Sequence, residues 1–188
     1  MAVWGQPMLD LDDLVAECCG AISEHDPRMA MRAVLERALA GGQLAEALGG
    51  YDAGLNVLYN APDLTILNVV WPPLFNLLPH DHRMWAAIAV YGGREENTFY
   101  RRQGSAIVTS GGKELVDGDI LLMGDDTIHA VHNPQGSHTG AIHVYGGDFI
   151  KTARSQWDSK TLKEEPYDLE GVRREFERAE REATPAGD

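Results

Sequence analysis

The stretch LTILNVVWPPLFNLLPHDHRMWAAIAVY, residues 64–91, contains two of the apolar segments that decide the fold. The runs 64–71 and 85–91 are rich in valine, isoleucine and aromatic residues, and prolines and polar residues separate them, a pattern typical of β-strands. These two runs and the six further ones given next follow one another without intervening helices. Such a series of short strands predicts a sandwich, jelly roll or barrel and argues against a doubly wound sheet. Six further strands of this kind are predicted over 97–102, 105–109, 113–115, 120–123, 128–131 and 140–145.

Helical patterns flank this strand-rich region. Apolar residues recur at helical spacing between residues 9 and 18, and Asp26-Pro27 provides the N-cap and first residue of a second helix. A short helix over 43–48 follows. After Asp168, the charged segment LEGVRREFERAERE predicts a helix whose narrow apolar edge lies on the barrel or against a partner chain.

The 188 residues suffice for one domain with a sizeable core, and no internal repeat or low-complexity linker divides them. We therefore predict a single domain in three consecutive parts. These are an N-terminal helical segment over 1–50 packed on the barrel, the barrel with its site over 51–155, and a C-terminal helix and tail over 156–188.

Composition limits the classes of partner and compartment. Hydrophobic residues make up 44% of the chain, yet no apolar run approaches the roughly 20 residues that span a bilayer. The formal net charge of −13 disfavours nucleic acid and anionic lipid as partners. The N-terminus lacks the basic start and apolar core of a secretion signal, which favours a cytoplasmic protein. Cys18 and Cys19 are adjacent in a predicted helix, so we expect small core residues rather than a disulfide or a metal site.

His80-Asp81-His82 is the sharpest chemical motif among the seven histidines. On an extended chain, residues two apart project to the same face, so both imidazoles can reach one ion while Asp81 points away. A pair of nearby histidines is also a common surface feature, but here Pro79 precedes the pair and an apolar strand follows it. The motif therefore predicts two ligands of a metal.

A third ligand is predicted on the strand 128–132. His129 and Val131 share one face of this strand and His132 lies on the other. Because Val131 is the natural core residue, His129 is expected to point inward and His132 toward solvent. His25 and His138 lie in polar surroundings and are interpreted as surface residues.

His143 and Tyr145 also lie two apart on one predicted strand and therefore share a face. If that face is the barrel interior, the imidazole and the phenol need polar partners there. The pattern alone is equally compatible with a hydrogen-bonded core pair and with a catalytic pair.

Three segments carry a resemblance to a known family: PHDHRMWAAIAVYGGREENTFYRR (79–102), LLMGDDTIHAV (121–131) and GAIHVYGGDF (140–149). Over roughly residues 55 to 150 the chain resembles the cysteine dioxygenase-like thiol dioxygenases of the cupin superfamily. The resemblance implies a mainly β fold, the cupin double-stranded β-helix or jelly-roll barrel, with N-terminal helices and one C-terminal helix. It also implies Fe(II) as cofactor, with a small-molecule substrate and O2 as partners, in a monomer or homodimer.

The resemblance implies a role for each matching residue. His80, His82 and His129 match the three iron ligands, and His143 and Tyr145 match a His–Tyr pair beside the iron. In the family the substrate thiolate binds Fe(II) directly, O2 takes an adjacent position, and both oxygen atoms go to sulfur, which yields a sulfinic acid. Three neutral imidazoles leave the ion doubly charged and favour an anionic thiolate.

Departures from the family pattern concern the ligand set and the His–Tyr pair. Ala86 and Ala87 stand where the general cupin motif has a glutamate, which favours a site of three histidines without a carboxylate. Ala87 also replaces the cysteine that crosslinks to the tyrosine in animal members. Ala141 replaces the serine that accompanies the His–Tyr pair in many relatives.

The substrate side of the site also departs from the family pattern. The arginine that grips a substrate carboxylate in the family should fall near Tyr59-Asn60, and Asn60 is neutral, which leaves open a substrate without an essential carboxylate. Val69 and Trp71 share a strand face and match pocket-wall positions, with core packing as an equal explanation. Other arginines that remain as candidates are Arg83, expected on the face away from the ligands, and Arg94, Arg101 and Arg102, which the sequence does not place.

Three functions are therefore considered. The first is a non-heme Fe(II)-dependent dioxygenase that oxidises a small thiol, or a similar chelating small molecule, with O2. The second is a cupin that uses a divalent metal as a Lewis acid in isomerase, lyase or hydrolase chemistry. The third is a non-catalytic cupin that binds a small ligand, which the acidic charge and the absence of a DNA-binding motif make less favourable.

Overall fold

The structure, a computed structural model, describes residues 9–183. Within this range the chain forms four helices and eleven strands, and most strands fall between residues 54 and 145. The helices are α1 (Leu11–Ala21), α2 (Pro27–Ala40), α3 (Leu44–Leu48) and α4 (Leu169–Ala183). The strands are β1 (Gly54–Asn60), β2 (Thr65–Trp71), β3 (Asn76–Asp81), β4 (Ala86–Gly92), β5 (Arg94–Gln103), β6 (Ala106–Val116), β7 (Ile120–Met123), β8 (Ile128–His132), β9 (Thr139–Tyr145), β10 (Ser155–Trp157) and β11 (Glu164–Pro166).

The strands form two antiparallel sheets, in the orders β1-β2-β9-β4-β7 and β11-β10-β3-β8-β5-β6. Along β2 to β9 consecutive strands change sheet except at the β5–β6 hairpin, so that β2, β9, β4 and β7 face β3, β8, β5 and β6. This is the eight-strand order of a jelly roll, built from two Greek keys. The predicted double-stranded β-helix with N-terminal helices and one C-terminal helix is confirmed.

Capping explains where the N-terminal helices begin. The Asp26 side chain accepts a hydrogen bond from the backbone N–H of Met29 at 3.2 Å, and Pro27 is the first residue of α2, as the sequence predicts. Asp10 caps α1 in the same way through the N–H of Asp12. The two helices and α3 cover the outer face of β4 and β9, where Cys18 is fully buried and both cysteines are free.

The prediction of two separate strands over 105–109 and 113–115 is wrong. These residues form the single strand β6, which pairs with β5 along its whole length with one register shift between Phe99 and Tyr100. The glycines at 111 and 112 suggested a turn, but β5 holds them in the ladder opposite Phe99 and Thr98. A partner strand thus overrides the local turn preference of glycine.

Helix α4 packs against the barrel, one of the two placements expected from its narrow apolar edge. Val172 and Phe176 are buried, and the Phe176 ring centroid lies 4.4 Å from that of Phe75 and 5.3 Å from that of Trp71. Both partners belong to the core between the two sheets, so α4 closes the barrel and continues its core. No helix within residues 9–183 is long and apolar enough to cross a membrane.

Candidate metal centre

Three histidine rings converge between the sheets. His80 lies near the end of β3, His82 follows directly after that strand, and His129 lies on β8 as the register partner of His80. The Nε2 atom of His82 is 3.2 Å from Nε2 of His80 and 3.2 Å from Nε2 of His129. One ligand nitrogen from each ring lies within 4.8 Å of the other two.

The spacing of these nitrogens fits one small divalent ion. Nitrogen ligands about 2.1 Å from a common ion, at angles near 90–110°, are about 3.0–3.4 Å apart. Within the described residues, no other group of three histidine, cysteine or carboxylate ligands meets this test of mutual distance. Three imidazoles suit zinc, copper, iron or nickel, and the absence of a carboxylate from the cluster leaves the ion without a charge-neutralising ligand.

Burial keeps all three rings in the form that can bind a metal. Each is at most 3% exposed. Burial lowers the pKa of His80 to about 4, and burial together with the neighbouring histidines holds the pKa values of His82 and His129 well below the usual range. At neutral pH the rings are uncharged, and a neutral imidazole offers a lone pair.

Hydrogen bonds at Nδ1 orient two of the rings. His80 Nδ1 lies 3.0 Å from the carbonyl oxygen of Leu78, and His129 Nδ1 lies 2.7 Å from Oδ1 of Asn97. Each contact places the proton on Nδ1 and leaves Nε2 as a bare lone pair directed at the cluster. His82 Nδ1 is buried and has no hydrogen-bond partner among residues 9–183.

The expectation that Asp81 points away from the cluster is confirmed. Its carboxylate accepts hydrogen bonds from the backbone N–H of Ser155 at 2.7 Å and from Nε of Arg83 at 2.6 Å. Arg83 therefore lies on the opposite side from the ligands, although the cause is a left-handed backbone turn at φ 58° rather than regular strand alternation. Asp81 thus attaches the histidine pair to β10.

His143 and Tyr145 are adjacent to the cluster. Nδ1 of His143 lies 3.0 Å from Oη of Tyr145, and the Tyr145 ring centroid lies 4.9 Å from that of His82. Both side chains line the same small cavity as the three histidines. Burial raises the pKa of Tyr145 strongly, so the phenol is protonated at neutral pH. The structure thus brings together all five residues that the sequence selected for chemistry.

A buried polar group on β5 completes the site, and sequence analysis missed it. Glu95 is fully buried; its Oε1 accepts from Asn97 Nδ2 at 2.8 Å and its Oε2 from Trp71 Nε1 at 2.9 Å. His143 Nε2 lies 3.7 Å from the same Oε2. The available signal was strand parity, since Glu95, Asn97 and Phe99 alternate on β5, but the charged neighbours on both sides concealed it.

The predicted pocket residues separate into two groups. Val69 and Trp71 line the cavity. Asn60 is exposed and is not among the lining residues; its amide donates to Asp148 at 3.3 Å and its oxygen accepts from Thr65 at 2.8 Å. The structure therefore does not bring Asn60 to the histidines.

The remaining histidines lie outside the cluster. His25 is exposed. His132 is half-buried and its Nδ1 contacts the carbonyl oxygen of Phe75 at 3.1 Å. His138 contacts Glu180 at 2.7 Å across the surface. Each of these lies away from the cavity, as the sequence predicts.

The arginines that the sequence left unplaced also lie outside the site. Arg94 pairs with Glu96 and Glu114, Arg102 binds Glu164, and Arg101 is exposed. Arg154, which sequence analysis did not consider, lies much closer to the histidine cluster. Its positive charge contributes to the low pKa values of His80 and His82, although burial is the larger cause.

Arg154 packs against two aromatic rings of the cavity wall. Its guanidinium carbon lies 3.9 Å from the ring centroid of Phe149 and 4.0 Å from that of Tyr167, and both rings line the cavity. Its Nη1 donates to the carbonyl oxygen of Phe149, whereas Nε and Nη2 are buried without a partner among the described residues. The cavity itself measures about 10 Å³, room for about one water molecule.

Solved structures with the same kind of barrel resemble this chain. A protein from Bacillus halodurans superposes with a TM-score of 0.49 at 16% identity, over 55% of this chain and 77% of that one. An RmlC-like cupin family protein with a double-stranded β-helix fold, from Methanocaldococcus jannaschii, gives 0.43 at 13% identity, over 52% and 83%. The chain has the cupin fold. The strand order described above decides this, and the likeness at these identities concerns the fold alone.

KdgF from Halomonas sp. is also similar to this cupin barrel, with a TM-score of 0.39 and 19% identity over 49% of this chain and 77% of that one. No family model matches the chain, and no curated protein matches it in sequence. The chemistry of this barrel therefore depends on the side chains of its own site.

Proposed function

We propose that this cupin is a non-heme Fe(II)-dependent dioxygenase that converts a small thiol to a sulfinic acid. The observation that carries the proposal is the convergence of three buried, neutral imidazoles, His80, His82 and His129, without a carboxylate in the group. Iron(II) bound there would coordinate a thiolate and activate O2, and the net reaction R–SH + O2 → R–SO2H balances without a further reductant.

The three ligands support this class of metal because they supply no negative charge. An ion that keeps its full double charge attracts an anionic ligand such as a thiolate more strongly than one neutralised by a carboxylate. Since only three protein ligands converge, further coordination positions remain for small molecules.

Tyr145 and His143 support a role in proton handling next to the histidines. The phenol faces His82 and is hydrogen-bonded to His143, so its oxygen can accept a hydrogen bond from a substrate while its own proton is held by Nδ1 of His143. Because both groups are buried, water does not compete for these hydrogen bonds.

Arg154 supports a substrate with a second negative group, such as a carboxylate. Two of its guanidinium nitrogens are buried without a partner, and it stacks against two rings that line the cavity. A buried cation with free N–H donors is a strong partner for a carboxylate. This proposal chooses between the alternatives that the sequence left open at the neutral Asn60.

The cavity has to widen before a substrate binds, since its present volume of about 10 Å³ admits no thiol. Phe149 and Tyr167 form the wall on the side of Arg154, and Tyr167 is only half-buried. We propose that this aromatic layer moves aside when the substrate enters and then excludes water from the site.

The test is oxygen uptake by protein loaded anaerobically with Fe(II), measured against a panel of small thiols together with identification of the sulfinate. We expect one sulfinate formed for each O2 consumed. His82→Ala should abolish uptake, whereas His138→Ala, a surface histidine outside the cavity, should retain it. No uptake with any thiol would refute the proposal, and turnover without O2 on a zinc-loaded protein would favour Lewis-acid chemistry instead.

A further inference from the structure

Glu95 connects the two halves of the site. On one side its Oε1 accepts from Asn97, whose own oxygen contacts the ligand His129; on the other side its Oε2 faces His143. Trp71 holds Oε2 from a third direction through Nε1 at 2.9 Å. The Glu95 carboxylate is therefore linked through Asn97 to His129, a ligand of the candidate metal. It also lies next to His143, the histidine that binds Tyr145.

The contacts of Glu95 favour its ionised form despite its burial. Burial raises its pKa, but the contacts with His143, Asn97 and Trp71 outweigh that effect and leave the pKa below the usual range. An ionised carboxylate only accepts hydrogen bonds. Every group that faces it must therefore present a hydrogen.

This requirement determines the hydrogen-bond directions as far as His129. Asn97 has to turn its NH2 group toward Glu95, so its Oδ1 is the atom left facing His129. An amide oxygen cannot donate, so His129 carries its proton on Nδ1. Its Nε2 is then a bare lone pair, which is the form that a metal requires.

The same requirement acts on His143. Its Nε2 lies 3.7 Å from Oε2 of Glu95, and a negative charge at that distance favours the tautomer with the proton on Nε2. Nδ1 then accepts from the phenol of Tyr145. Ala141, two residues before His143 on β9, has no polar side chain. Glu95 is instead the polar group that lies beside Nε2 of His143.

We propose that Glu95 is a positioning residue that sets the proton positions on both sides of the cavity, at Nδ1 of His129 through Asn97 and at Nε2 of His143. The proposal rests on the metal-binding part of the proposed function and is independent of the reaction with O2. It concerns which ring nitrogen carries a proton, so it requires no change of charge at His129.

The first test is Glu95→Gln. Trp71 donates from a fixed position and holds the amide oxygen where Oε2 was, so the new NH2 group faces Asn97. The side-chain amide of Asn97 must then rotate by 180° and present its NH2 to His129, which favours the tautomer that carries a proton on Nε2. Metal binding has to remove this proton from Nε2, and we expect an affinity for Zn(II) and Fe(II) that is about 10–100-fold weaker.

The matched control is Glu96→Gln. Glu96 neighbours Glu95 on β5 but its side chain is 41% exposed and contacts Arg94. Competition with a chromophoric chelator under anaerobic conditions measures all affinities. The affinity of the control variant should equal that of the unmodified chain. Glu95→Gln with the same affinity as that control would overturn the proposal.

The second test exchanges the two groups. In Glu95→Gln/Asn97→Asp the new aspartate accepts from His129 Nδ1 and from the new glutamine NH2, while the glutamine oxygen still accepts from Trp71. All hydrogen-bond directions toward the ligand are restored, so we expect metal affinity to recover to within about threefold of the original. A merely structural role for Glu95 predicts a further loss in the double variant, and that result would contradict the proposal.

A third measurement needs no variant and no reaction. In the metal-free protein, the ¹⁵N shifts of the imidazoles distinguish the two neutral tautomers. We expect a proton on Nδ1 but not on Nε2 of His129, and a proton on Nε2 of His143. A proton on Nε2 of His129, or none on Nε2 of His143, would overturn the proposal, whereas weak metal binding by a chain with the expected proton positions would refute the proposed function instead.

Discussion

His80 and His129 stand directly opposite each other on β3 and β8, and their ring centroids lie 4.6 Å apart. The register of one strand pair therefore brings two ligands together, and His82 adds the third at the point where β3 ends. Replacing His129 by alanine removes a ligand without disturbing β3, and we expect stoichiometric metal binding to be lost. His132→Ala, on the same strand but outside the cavity, should bind one metal per chain by elemental analysis; equal metal content in both variants would contradict the assignment.

Metal binding should stabilise the folded chain. A ligand that binds only the native state at 100 times its Kd adds about 2.7 kcal/mol. For a domain of this size we expect a rise in Tm of about 5–10 °C, reversed by a chelator. Thermal unfolding followed by circular dichroism with and without Zn(II) measures it. His82→Ala should show no rise, and an equal rise in that variant would place the stabilising ion elsewhere.

Helix α4 should be required for the stability of the barrel. Phe176 is buried between Trp71 and Phe75, and Phe176→Ala leaves a cavity in the core between the two sheets. Deletions of this kind cost about 3–5 kcal/mol of the free energy of unfolding. Urea denaturation measures the loss. Arg178→Ala on the exposed side of α4 should change stability by less than about 0.5 kcal/mol, and a similar effect of both variants would show that Phe176 does not belong to the core.

Arg154 should determine the preference for anionic substrates. Replacing it by methionine keeps a long apolar side chain between Phe149 and Tyr167 but removes the guanidinium charge. For a mercapto acid we expect kcat/KM to fall at least about tenfold, equivalent to about 1.4 kcal/mol, while a mercapto alcohol of the same length changes little. A parallel loss for both substrates would indicate a structural role instead.

Much of the barrel could be predicted from local pattern. Strand β7 occupies the predicted residues 120–123, β2, β8 and β9 differ from prediction by one residue at one end, and β4 is displaced by one residue at both ends. Strands β1, β3, β10 and β11 were not predicted; in β3 and β11 a proline and charged residues hide the extended state. The pairing of Gln156 with His80 and of Trp157 with Glu164 shows that their conformation depends on neighbouring strands.

The sequence by itself determined which faces carry chemistry. Alternation along a strand is a local property, so the shared face of His80 and His82 and the inward direction of His129 follow from residue order alone. Only the tertiary structure decided that Glu95 lies beside His143 and that Arg154 packs against the cavity wall. Those contacts join distant parts of the chain, and they depend on strand register and on the packing of one sheet against the other, which no local pattern encodes.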